Sequence, residues 1–216
     1  MWNTGDPLMV CRRLLAPVLA LILAIVVAPS PACSKNPGGP SANPTVVAFG
    51  DSITYGIGTT GDNDYVHVLS RRVGVTIRNS AFPGDTTGDA LNRLNSGVIS
   101  LNPKIVIVLL GGNDILQNVP VATRVSNITT IVQQIRGAGA AVILVGLGSP
   151  PLDPFEGALP ALAAGSGSTY VPNILDGIFG VAGLMADSIH PNNAGHAMIA
   201  DRLETPLRTA LAAIPQ

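Results

Sequence analysis

The sequence predicts an α/β fold in which a parallel sheet lies between two layers of helices. Three observations carry this. Residues 105–110 and 141–147 are unbroken apolar runs of strand length, as expected for strands covered on both faces. Between them, Val121, Val125, Ile128, Val132 and Ile135 recur at helical spacing. The chain is 47% hydrophobic and 12% charged over 216 residues, which supplies ample apolar surface for a core and excludes intrinsic disorder. A formal net charge of -1 offers no basic field to hold a polyanion, so no nucleic-acid partner is expected.

The first segment reads as an export leader. Arg12 and Arg13 precede an apolar run over 14–28, interrupted by Pro17, and then come Pro29, Ser30, Pro31, Ala32 and Cys33. A positive flank, a short apolar stretch and small residues before a cut describe a signal peptide over 1–32. The run is shorter than the roughly 20 residues of a comfortable membrane span. Cleavage after Ala32 removes Cys11 and leaves Cys33 first in the mature chain, with no cysteine to pair with. That position resembles the lipid-bearing cysteine of a bacterial lipoprotein. Ser30, where such signals usually carry leucine, and Pro31 depart from that pattern, and ordinary signal peptidase could use the same bond. Lipidation of Cys33, with a membrane tether, and a free N-terminus both stay open. Residues 33–44, with Lys35, Gly38, Gly39 and three prolines, read as a flexible tether.

From residue 45 to 216 the pattern alternates as one domain. Strands are expected over 45–49, 75–77, 105–110 and 141–147, with a short fifth over 168–171. Val66, Leu69 and Val73 mark a helix over 65–73, and Leu91, Leu94 and Val98 mark the next. The 121–135 stripe ends at Gly137 and Gly139, as glycine commonly stops helices. A short helix is expected over 158–164 and a terminal one over 195–211. Pro206 should kink or restart the latter, because proline removes a helix hydrogen bond.

Open α/β sheets bind ligands beyond the carboxyl ends of their strands. Four blocks stand there or before the last helix: Gly50-Asp51-Ser52-Ile53-Thr54, Asn79-Ser80-Ala81-Phe82-Pro83-Gly84-Asp85-Thr86, Gly111-Gly112-Asn113-Asp114, and Asp187-Ser188-Ile189-His190-Pro191-Asn192. A serine on a tight turn exposes its Oγ but needs a base. His190 can supply one, since imidazole titrates near neutrality. Asp187, three residues earlier, can accept the imidazole Nδ1–H and set the tautomer. An oxyanion needs fixed donors. The backbone N–H groups of Ser52 and Gly84 and the side-chain amide of Asn113 are candidates.

In this order the blocks resemble those of the SGNH, or GDSL, hydrolase family, and the resemblance spans nearly the whole of 45–216. It implies a flavodoxin-like three-layer α/β/α sandwich with a central parallel sheet of about five strands. It places the family's Ser, Gly, Asn and His on Ser52, Gly84, Asn113 and His190, and its aspartate on Asp187. The branch most similar is that of small exported enzymes called thioesterase I, lysophospholipase L1 or arylesterase. The implied activity is serine ester hydrolysis through an acyl-enzyme, with no cofactor, on small acyl esters or thioesters of short to medium chain. A metal site from His190, His196 and Asp187 is the rival reading, and no metal is expected because no close His/Cys/Asp cluster with zinc-like spacing appears.

Each piece has a structural rival. Ser52 could cap a helix, Asp187 and Asn193 could cap the last one with Pro191 in its first turn, and Gly111 and Gly112 could be turn residues. Asp51, Asp114 and Asn79 are expected to bind nearby backbone N–H groups. His67 is expected at the surface or core edge and His196 packed on the terminal helix. Residues 61–64 lack the downstream glutamate of a calcium loop, and the Asn127-Ile128-Thr129 glycosylation triplet falls within a helix. For substrate, Tyr55, Ile57, Leu116, Leu152, Phe155, Phe179, Leu184 and Ile189 are expected to line an apolar acyl pocket, with no lysine or arginine nearby to recognise a phosphate. Trp2 lies in the leader, which argues mildly against a polysaccharide deacetylase. An acyltransferase or carbohydrate O-acetyl esterase on the same residues, and a non-catalytic exported lipoprotein or binding module, are the alternatives. The oligomeric state is not legible.

Overall fold

Burial on both faces decides the sheet. In the computed structural model, which describes residues 45–148 and 153–214, five strands run β1 (Val46–Gly50), β2 (Ile77–Asn79), β3 (Ile105–Leu109), β4 (Ala141–Val145) and β5 (Thr169–Val171). The segments expected as leader (1–32) and tether (33–44), with Cys33, and Leu152 lie outside the described residues. All pairings are parallel, in the order β2-β1-β3-β4-β5. Val46 stands opposite Ile77 on one side and Ile105 on the other, and Ile105 opposite Ala141.

Alternate residues of each strand feed two cores. Val46, Ala48, Ile105, Ile107, Leu109, Ile143 and Val145 meet α2 (Tyr65–Val73) and α7 (Asn193–Ala212) on one face. Val47, Phe49, Val106, Val108, Val142 and Leu144 meet α3 (Thr87–Gly97), α5 (Val121–Gly137) and α6 (Pro154–Ser166) on the other. The apolar runs are therefore strands with no wet face, and the architecture is the three-layer sandwich expected. Two short helices, α1 (Ser52–Tyr55) and α4 (Gly112–Leu116), start at the carboxyl ends of β1 and β3. Among the described residues no helix is long and apolar enough to cross a membrane.

Three elements depart from expectation. The second strand sits two residues later than 75–77, because the Val75 carbonyl is taken by the Ser70 hydroxyl at 2.8 Å and the ladder begins at Ile77. The helix expected over 158–164 begins at Pro154, where Asp153 caps it by accepting from the Phe155 N–H at 2.8 Å, a start that aspartate followed by proline favours. Helix α7 runs unbroken through Pro206. Leu203 and Leu207, fully buried on either side of it, keep that face on the sheet.

The order β2-β1-β3 means that the chain leaves β1 for one edge and returns on its other side at β3. Such a reversal opens a crevice between the carboxyl ends of the two strands, and α1 and α4 both start there.

Candidate active site

The first wall of that crevice is the turn after β1. Gly50 is required by close packing, since a Cβ there would lie 2.6 Å from the Leu109 carbonyl of β3. Asp51 then caps α1, its Oδ1 accepting from the Ile53 N–H at 3.1 Å. Ser52 is the first residue of the helix, and the capping role considered for it belongs to Asp51.

The loop before α7 brings the histidine. Asp187 Oδ1 accepts from the Ile189 and His190 N–H groups at 2.8 and 2.7 Å, a local turn that folds 187–190 back on itself. Asp187 Oδ2 then lies 2.7 Å from His190 Nδ1, and His190 Nε2 lies 3.1 Å from Ser52 Oγ. The side chain of His190 is 14% exposed and that of Asp187 50% exposed. The hydrogen bonds from His190 and the two backbone N–H groups hold the exposed Asp187 carboxyl down at about 2, so it stays ionised at any working pH. Asn192, not Asp187 or Asn193, caps α7, accepting from the Ala194 and Gly195 N–H groups. An imidazole held by a carboxylate on one nitrogen and facing a hydroxyl with the other can take that hydroxyl's proton.

The block after β2 forms the turn 82–85, in which the Asp85 N–H donates to the Phe82 carbonyl at 3.3 Å. Pro83 followed by Gly84 at φ +88 makes this a type II turn, whose third position favours glycine. Gly84 is exposed and is not among the cavity-lining residues. Asn113, at the start of α4, donates one amide N–H to the Asp85 carbonyl at 3.0 Å, and its amide carries a second. Asn79 and Asp114 are structural braces. Asn79 donates to the Thr54 carbonyl at 2.7 Å and accepts from the Ala81 N–H. Buried Asp114 accepts from the N–H and hydroxyl of Thr87 at 2.8 and 2.6 Å.

A cavity of about 360 Å³ opens at Ser52, His190 and Asn113. Of the residues expected to line it, Leu116, Phe179 and Ile189 do. Phe155 does not: it is 1% exposed, packed in the core under α6. Tyr55 and Ile57 are not among the lining residues, and Leu184 packs against the core beside α7 instead. Ile53, Ile115, Leu147 and Leu175 complete the apolar wall. Ile115 stands next to Leu116 on α4, and both line the cavity. Leu147 and Leu175 come from irregular segments whose pairing, Leu175 N–H to the Leu147 carbonyl, only the fold reveals.

Among the described residues, neither lysine nor arginine lines the cavity. Arg93 and Arg124 are each paired with a carboxylate, Arg93 with Asp85 and Arg124 with Asp153 at 2.7 Å. Asp153 lines the cavity. Of the other histidines, His67 is buried rather than at the surface, with Nδ1 2.7 Å from Asp64. His196 is buried on α7, its Nδ1 accepting from the Tyr65 N–H at 3.1 Å. Asn127 donates to the Thr87 hydroxyl from within α5. Asp64 caps α2 through the His67 N–H, which gives the 61–64 loop a structural role.

Asp51 is the strongly perturbed acid of the site. Burial pushes its carboxyl up to about 7; Asp85 adds to this, while the Ile53 N–H and His190 oppose it. A carboxyl with a raised folded-state value binds its proton more tightly folded than unfolded, so it stabilises the fold below the ordinary value of 3.8 and loses that contribution as pH rises toward 7. Asn caps helices as well as Asp does. Asp51→Asn is therefore expected to gain stability relative to the parent between pH 5 and 8, read as a widening gap in urea midpoints. A gap that stays constant with pH contradicts this.

Comparison with known proteins identifies the family. The profile of the GDSL-like lipase/acylhydrolase family matches residues 48–198. Esterase TesA of Pseudomonas aeruginosa is 31% identical over 183 residues, covering 79% of this chain and 91% of that protein. Thioesterase 1/protease 1/lysophospholipase L1 of Escherichia coli is 25% identical over 177 residues, covering 78% and 85%. A crystal structure of TesA superposes with a TM-score of 0.72 at 30% identity, covering 76% of this chain and 98% of that one. The chain belongs to the GDSL-like lipase/acylhydrolase family, and it is a serine ester hydrolase.

Proposed function

We propose that the protein hydrolyses short- to medium-chain acyl esters or thioesters through an acyl-enzyme on Ser52. The observation that carries this is the hydrogen-bonded series Asp187–His190–Ser52 at the mouth of an apolar cavity. Ser52 attacks the carbonyl as His190 takes its proton, and His190 returns that proton to the leaving alcohol or thiol. Asp187 holds the imidazole. The N–H groups of Ser52 and Gly84 and the second amide N–H of Asn113 receive the oxyanion. Water, activated by His190, then releases the acid.

The acyl chain lies along Ile53, Ile115, Leu116, Leu147, Leu175 and Phe179, a lining with few polar anchors that suits a hydrocarbon. The thioesterase and lysophospholipase activities named for the Escherichia coli relative support the substrate class. A p-nitrophenyl ester series, run beside an acyl-CoA thioester, tests this. Burying a methylene is worth about 0.8 kcal/mol, so kcat/KM should rise roughly fourfold per added CH₂ until the cavity is full. A profile that peaks at acetate and falls thereafter would move the assignment to an O-acetyl esterase.

The protein works after export, with residues 1–32 removed. The basic flank, apolar run and small residues before Cys33 support that reading. The mass of the mature N-terminus distinguishes a lipid on Cys33 from a free end.

A further inference from the structure

Arg93 makes an unusual set of contacts for a residue of a helix facing the sheet. From α3 its Nε donates to Asp85 Oδ2 at 2.5 Å, its Nη1 to the Ser80 carbonyl at 2.7 Å and its Nη2 to the Gly50 carbonyl at 3.1 Å. The guanidinium lies over the Phe49 ring, 4.5 Å from its centre. These acceptors belong to the structures that carry the oxyanion donors. Gly50 is two residues before Ser52. Ser80 and Asp85 bracket the turn that bears Gly84. The Asp85 carbonyl accepts the Asn113 amide at 3.0 Å. The Gly50 carbonyl also accepts the Phe82 N–H at 3.0 Å, so the ends of β1 and of the turn are joined both directly and through the arginine.

We propose that Arg93 is a positioning residue for the oxyanion donors: one rigid guanidinium sets the Ser52 turn, the Gly84 turn and, through Asp85, the Asn113 amide in register with one another. This rests on the reading of Ser52, Gly84 and Asn113 given above. A planar fork holds its donors in fixed, separated directions, whereas a lysine ammonium offers its three donors from a single point on a flexible stem. Arg93 itself touches no substrate in this account. Its effect falls on the transition state, because small displacements of preorganised donors cost turnover while leaving ground-state binding alone.

The test compares Arg93→Lys and Arg93→Met with Asn113→Ala, on a p-nitrophenyl butyrate assay and with an alkyl boronic acid as a tetrahedral mimic. Asn113→Ala is expected to lower kcat by about 10²–10³. Arg93→Lys is expected to fold and to lower kcat by about 10–100-fold. KM should stay within about twofold, and boronate affinity should fall by the same factor as kcat, because both read the same donors. The combination Arg93→Lys with Asn113→Ala should lose much less than the product of the two single losses, because both disturb one device. Unchanged kcat in Arg93→Lys, or losses that multiply fully, would overturn the proposal. If Arg93→Met fails to fold, the lysine variant decides alone. Ser52→Ala is run in parallel. Activity surviving there overturns the reading of the site, whereas a dead Ser52→Ala beside a fully active Arg93→Lys overturns only the role of Arg93.

Discussion

Ser52→Ala is expected to remove ester hydrolysis almost entirely, by a factor on the order of 10⁶ in kcat, the scale on which nucleophile loss acts in other serine hydrolases. The size follows from the role. Without Oγ there is no acyl-enzyme, and the remaining donors can only assist a direct attack by water. The fold should survive, because Ser52 makes no capping bond; Asp51 caps α1. The Ser52 carbonyl, which accepts from the Gly56 and Ile57 N–H groups at 3.0 Å, belongs to the backbone and is unaffected. Matching thermal transitions for variant and parent would show that chemistry alone was removed. A variant within tenfold of the parent on a chromogenic ester would refute the assignment of the nucleophile.

His190→Ala is expected to cost nearly as much. The imidazole Nε2 lies within hydrogen-bond distance of Ser52 Oγ, at 3.1 Å. It serves twice, taking the proton from the attacking oxygen and giving it to the leaving group. Groups that act as one unit are not additive, so the pair Ser52→Ala with His190→Ala should be no slower than either alone, within a few-fold. Losses that multiply in the pair would show that the histidine acts elsewhere. Asp51 is engaged elsewhere, its Oδ1 accepting from the Ile53 N–H as the cap of α1.

Much of this fold is readable in the sequence for one physical reason. Residues 105–109 and 141–145 are apolar at every position, and such a run fits a strand only where both faces are covered. The same burial fixes the layer order, and so the crevice at the ends of β1 and β3. The Asp-x-x-His spacing is also local: a side chain three residues back can bond the ring and the backbone of the same turn, as Asp187 does. What escapes a linear reading is whatever depends on distant packing. Phe155 looks like a pocket residue because it is aromatic and near a loop, yet α6 starts at Pro154 and turns its ring into the core. Leu147 and Leu175 carry no motif and become pocket wall through loops that pair side by side. Arg93 reads as one charged position on a helix. Only the fold shows that its guanidinium reaches three acceptors, one at the end of β1 and two on the turn after β2.

The most direct measurement is covalent labelling. An alkyl p-nitrophenyl phosphonate, followed by peptide mass spectrometry, should give one adduct per chain on the peptide containing residue 52, with activity falling in step, and no adduct in His190→Ala over the same time. An adduct on a different residue, or ester turnover continuing at full rate in protein wholly modified at residue 52, would contradict the account.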